Sequence, residues 1–151
     1  MKYQEIINQL PYSHPFLFVD SLSHVSEDGA TGTYTFKKSE YFYQGHFKDH
    51  PITPGVILTE CMAQIGVVCL GIFLTHKEGI IDPNEVGIAL SESHVEYLTS
   101  VEPGEKVKVV SEKIYYRFGK LKCKVSMYNV LEKIVCQGTI SGMIYNQSQN
   151  S

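Results

Sequence analysis

The chain has 151 residues, 43% of them hydrophobic and 19% charged, a length and balance that suit one globular domain able to bury a core without disulfide or metal staples. Its net charge of −3 and pI near 6.0 lack the basic footprint of a nucleic-acid binder. The opening residues carry no apolar run and no small-residue cleavage site, so no secretory leader is expected, and the four cysteines are expected as reduced thiols in a cytoplasmic protein.

Residues 3–10 predict a short helix with Ile6, Ile7 and Leu10 on one side, stopped by Pro11. Residues 15–20 (PFLFVD) and 32–36 (GTYTF) are rich in aromatic and β-branched side chains and predict two strands around a turn at 27–29. After a loop over 41–55, residues 55–74 (GVILTECMAQIGVVCLGIFL) are apolar on nearly every face, which predicts a buried helix. Its length would also cross ~30 Å of hydrocarbon. Glu60 and Gln64 one turn apart, and the lack of basic flanks, place it instead in a soluble core with no membrane partner. Gly66 and Gly71 cost helix propensity, so they predict points where sheet side chains approach the helix closely.

Four further strands are predicted over 85–98, 106–116, 120–128 and 133–145, joined by turns at 102–105, 118–119 and 129–132. Lysines alternate there with Val107, Val109, Leu121, Cys123 and Val125, giving each strand one wet and one buried face. The simplest assembly is α+β, an antiparallel sheet wrapped around the long central helix, with residues 1–145 as one domain and 146–151 as a frayed polar tail. Residues 106–133 hold eight basic and two acidic side chains while the rest of the chain is acidic. That surplus serves either as a solvated sheet face or as a dock for an acidic partner at strand-end residues such as Lys113, Arg117, Lys120 and Lys133.

The loop over 41–55 (YFYQGHFKDHPITPG) concentrates aromatic, glycine, histidine and proline residues just before a helix N-terminus. His46, beside flexible Gly45, is a candidate base, and Phe47 would anchor the backbone. Glu60 on the second turn of an apolar helix must be paired, protonated or open to a cavity, and desolvation suits it to be a general acid. Gln64 can fix its rotamer from one turn away. Pro54-Gly55 at the helix start leaves the Gly55 N–H open to a carbonyl oxygen, and the helix dipole adds positive charge there. Base, acid and backbone donor around one carbonyl describe β-elimination. His46 and His50 also have H-x3-H spacing, but Gly45, Pro51 and Pro54 oppose the helix a metal pair would need, so no metal is expected.

On these residues the chain resembles the 3-hydroxyacyl-acyl-carrier-protein dehydratases of the FabZ type, which have a hot-dog fold. Residues 10–20 (LPYSHPFLFVD) resemble the family's LPHR-PFLLVD, residues 43–47 (YQGHF) its FQGHF, and residues 50–64 (HPITPGVILTECMAQ) its PIMPGVLILEAMAQ; residues 101–105 (VEPGE) resemble its V-x-PGD turn. The resemblance implies His46 and Glu60 as the catalytic pair, contributed by different subunits, and a substrate site formed by the Gly55 N–H with Phe47 and Val56. It implies formation of a trans-2-enoyl thioester from a (3R)-3-hydroxyacyl thioester on acyl carrier protein, with no cofactor beyond the substrate's own phosphopantetheine. It implies a homodimer with shared sites, or a trimer of such dimers.

This chain departs from that pattern at Lys48-Asp49, where the family has Pro-Gly, and at Ser21 and over 96–101 (EYLTSV), where the family carries basic docking residues. A fatty acid route and a specialised polyene or polyketide route fit equally. A hot-dog thioesterase and a non-catalytic acyl-binding subunit are the alternative readings.

Overall fold

The structure, a computed structural model, describes residues 1–79 and 86–146. Helix α1 (Tyr3–Asn8) turns Ile6 into the core. The strand expected over 15–20 does not form; the first strand, β1 (Ser21–Ser26), begins where that stretch ends. The cause is competition for backbone hydrogen bonds. Phe18 N donates to Gln64 Oε1 at 2.8 Å, and Gln64 Nε2 donates to Phe16 O at 3.0 Å, so this segment is bound to the central helix instead of a neighbouring strand. Its aromatic residues pack as a cluster: Phe18 is fully buried and meets Tyr34 edge-on at 5.5 Å. Strand β2 (Gly29–Thr35) then follows the predicted turn.

Helix α2 (Gly55–Lys77) is the predicted central helix, and 78% of its most apolar window is buried, so its hydrophobic length is spent on the core. One π turn, Gln64–Val68, interrupts it. Beside that turn the Ser111 hydroxyl donates to Gly66 O at 2.8 Å and accepts from Ala30 N at 3.1 Å, tying the helix to two strands at once. Both helix glycines stand where the sheet comes close. A Cβ on Gly66 would lie 3.0 Å from Ser111 Cβ and Val125 Cγ1, and one on Gly71 would lie 2.6 Å from Ile88 Cδ1.

Strands β3 (Val86–Tyr97), β4 (Lys106–Arg117), β5 (Lys120–Tyr128) and β6 (Ile134–Asn146) complete a six-stranded sheet in the order β1-β2-β4-β5-β6-β3, antiparallel throughout. The predicted alternation is realised: Val107, Val109, Leu121, Cys123 and Val125 are buried against α2, while Lys106, Lys108 and Lys124 are exposed. Phe118 and Gly119 both take positive φ, 52° and 74°, in the two-residue β4–β5 hairpin. The sheet leaves two edges, β1 and the long β3. All four cysteines are buried; burial pushes the Cys69, Cys123 and Cys136 thiols up to about 12 and holds the Cys61 thiol well above its ordinary value. Asn146 closes β6, and the rest of the expected tail, 147–151, lies outside the described residues.

Candidate active site

The loop into α2 is built by a short 3-10 turn, Tyr41–Gln44, whose Tyr43 hydroxyl meets Thr53 Oγ1 at 2.6 Å. Thr53 N in turn donates to Val101 O at 2.8 Å, so the helix start is pinned to the turn after β3. Between these anchors His46 Nδ1 lies 2.8 Å from Ile52 O. A carbonyl oxygen only accepts, so Nδ1 carries the proton and Nε2 of the neutral ring keeps its lone pair free. The Phe47 ring packs edge-on against this imidazole at 4.5 Å, from a backbone with φ 56°. His50 is turned away, exposed and 3.9 Å from Glu102, so the two histidines do not converge.

Gly55 opens the helix. Pro54 O accepts from Ile57 N at 2.9 Å and Leu58 N at 3.1 Å, while the Gly55 and Val56 N–H groups precede the first intrahelical donor. His46, Phe47, Ile52, Thr53, Gly55 and Leu58, with residues 97–100, line one open cleft of about 440 Å³. Val56, expected at the substrate, is 75% exposed and its side chain is not a wall of this cleft.

Glu60 is not a wall of it either. It follows Gly55 by five residues, about 140° around the helix axis, and sits on the side facing the 12–18 segment. There Gln64 Nε2 donates to Glu60 Oε1 at 3.2 Å. Gln64 is fully buried and makes three hydrogen bonds, one to Glu60 and two to the 16–18 backbone, which fixes the carboxylate's neighbour rigidly. Burial raises the Glu60 pKa above its ordinary value, and the Gln64 hydrogen bond offsets part of the rise. Tyr12, whose hydroxyl is pushed up to about 12 by its own burial and by the Glu60 charge, borders the same region. In one chain, then, His46 and the start of α2 lie on one face and Glu60 on another.

Residues 97–100 of the cleft wall escaped the sequence reading, which weighed that stretch only for its lost basic residues. A bulge between Leu90 and Glu92 shifts the register of β3, so the alternation read along the sequence does not carry through to Tyr97, which pairs with buried Cys136 of β6. The basic surplus divides between the two ends of the sheet. Lys106, paired with Thr35, and Lys133, just before β6, lie at the cleft end, whereas Lys113, Arg117 and Lys120 lie at the other. Ile65 and Val68 are core residues, while Leu90 is 55% exposed on the edge strand.

A long helix wrapped by this antiparallel sheet, with the loop histidine, the helix-start glycine and the helix carboxylate in these places, defines a hot-dog fold. Solved structures with the fold include the dehydratase heterocomplex ApeI:P from Xenorhabdus doucetiae (TM-score 0.79, 13% identity, 96% of this chain and 93% of that one) and a mutant thioesterase from Pseudomonas aeruginosa (TM-score 0.68, 12% identity, 97% and 95%). Residues 10–138 match the FabA-like domain family. Curated relatives include the 3-hydroxyacyl-acyl-carrier-protein dehydratases FabZ of Protochlamydia amoebophila, 31% identical over 96% of this chain and 90% of that protein, and of Acinetobacter baylyi, 30% identical over 95% and 88%. The chain belongs to the FabA-like domain family, alongside the FabZ-type dehydratases.

Proposed function

We propose that this protein removes water from a (3R)-3-hydroxyacyl thioester carried on acyl carrier protein and yields the trans-2-enoyl thioester, using sites shared between two copies of the chain. The observation that carries this reading is the His46 Nδ1 to Ile52 O bond, which leaves Nε2 as a base in the cleft that Gly55 opens. His46 Nε2 takes the α proton, and the charge that develops on the thioester oxygen is met by the Gly55 N–H at the positive end of α2. The electron pair forms the C2–C3 double bond as the C3–O bond breaks, and Glu60 of the second copy protonates the departing hydroxyl. Water leaves, and the proton on His46 returns to Glu60 through solvent before the next turnover. A raised carboxyl pKa suits Glu60 to this role.

The chemistry so written uses no metal or organic cofactor, and phosphopantetheine arrives with the substrate. Pairing of two copies is supported by the exposed, twelve-residue edge strand β3, where Leu90 and Tyr97 leave about half their surface open. A homodimer, alone or as a trimer of dimers, in the cytoplasm is the assembly that this reading takes. The test is to supply a 3-hydroxyacyl thioester and follow enoyl absorbance and free thiol together. A rise in enoyl absorbance without thiol supports the dehydratase; thiol release without enoyl product would make the protein a thioesterase, and neither signal would leave an acyl-binding subunit.

A further inference from the structure

Gly55 lies in a helix and has no need of a positive φ, so its lack of a side chain requires another cause. The structure supplies one. A Cβ there would stand 3.1 Å from Cε1, 3.2 Å from Cζ and 3.4 Å from Cδ1 of Tyr97, so the phenol ring rests directly on the first residue of α2. Tyr97 closes strand β3, and Leu98 N and Thr99 N both donate to Val135 O immediately after it, which ends its travel along the sheet. Its side chain is 49% exposed and lines the cleft with His46 and Phe47. The hydroxyl is bonded to Thr59 Oγ1, one helical turn beyond Gly55.

We propose that Tyr97 is a positioning residue of the acyl site, an aromatic wall over the Gly55 N–H that the Thr59 hydroxyl holds in place. The proposal rests on the dehydratase reading above for what occupies the cleft. A half-exposed ring on an edge strand has rotamer freedom to lose, and one hydrogen bond to the helix removes it before substrate arrives. With the ring fixed, a carbonyl that reaches the Gly55 N–H must lie alongside a flat apolar face. The planar group of the substrate, the thioester, is the part that such a face accommodates, and the same face shields that hydrogen bond from water. Tyr97 takes no proton and holds no charge; it acts by fixing the approach of the thioester to Gly55.

The experiment compares Tyr97→Phe, Thr59→Val, their double variant and Tyr97→Ala. Turnover is measured with a 3-hydroxybutyryl-pantetheine thioester, and binding by calorimetry with butyryl-pantetheine, which has no hydroxyl to eliminate. Losing the tether should raise KM and weaken butyryl-pantetheine binding about fivefold, with kcat changed less than about twofold. Because both single variants break one bond, the double variant should be no worse than either. Tyr97→Ala should lose at least about tenfold in kcat as well. Should Tyr97→Ala fail to fold, the Phe and Val variants decide the matter alone, with thermal unfolding as their control. Unchanged KM and affinity in both single variants, or losses that multiply in the double variant, would overturn the positioning role. A wild-type protein that binds butyryl-pantetheine, weakens as expected in the variants, yet dehydrates nothing would sink the dehydratase reading and leave the positioning role standing.

Discussion

Two variants that are each inactive should restore activity when mixed. His46→Ala removes the base and Glu60→Gln removes the proton donor, and each loss should cost about 10²- to 10⁴-fold. The His46 cleft is walled by Gly55 and Leu58 but not by Glu60, which lies about 140° around α2. On the proposed reading, a site that uses both residues draws them from two chains. In a dimer of one variant with the other, one of the two sites contains both defects and the second contains neither. Random exchange of equal amounts makes about half of the dimers mixed, so the mixture should recover about a quarter of wild-type activity. Isolating the mixed dimer through two different affinity tags should raise that to about half. The assay is enoyl formation per mole of chain, before and after exchange under mild denaturant, with exchange proved by co-purification of the tags. A purified mixed dimer as inactive as its parents would refute the shared site and require His46 and Glu60 to meet within one chain.

Three other outcomes follow from the same geometry. The raised Glu60 pKa means that the folded state holds this proton more tightly than the unfolded chain, so stability falls as pH rises from the unfolded value of ~4.3 through the folded pKa; Glu60→Gln should raise Tm relative to wild type at pH 8 and lose that advantage near pH 4, and a pH-independent difference in Tm would contradict it. Ser111→Ala strips a hydrogen-bond partner from buried Gly66 O and Ala30 N, which should cost about 2–4 kcal/mol in urea unfolding; a loss below about 1 kcal/mol would show that those groups find other partners. Reversing Lys106 and Lys133, at the cleft end of the sheet, should lower kcat/KM for carrier-bound substrate and flatten its salt dependence, whereas reversing Arg117 and Lys120 should not; equal effects from both pairs, or none from either, would return the lysines to the status of a solvated face.

Much of this arrangement was legible in the residues, for identifiable reasons. Period-two burial in β4 and β5 is a strong signal because lysine and valine differ so sharply in hydration, and the central helix announced itself by its unbroken apolar run. His46, Gly55 and Glu60 stood out because each is costly or unusual where it sits. The failures have a common physical origin in long-range partners. Residues 15–20 have strand-forming side chains, yet the Gln64 amide, 46 residues from Phe18, takes their backbone bonds. The wall at Tyr97 depends on the end of β3 meeting the start of α2, a contact that no local pattern encodes. Val56, implied at the substrate by the resemblance, has an exposed side chain that does not line the cleft of a single chain.

The four buried thiols have a further bearing on chemistry carried out on sulfur esters. A pantetheine arm that loses its acyl group ends in a free thiol, which would exchange with any disulfide on the protein to form a mixed disulfide, and an exposed protein thiolate would attack the thioester itself. Here every cysteine is enclosed, and those with a stated value titrate only at about 12, so almost none is ionised at neutral pH. The protein is thereby inert toward thiol exchange while folded. Its cysteines become reactive only when the sheet parts from the helix, so the rate of alkylation by iodoacetamide serves as an internal clock for opening of the core.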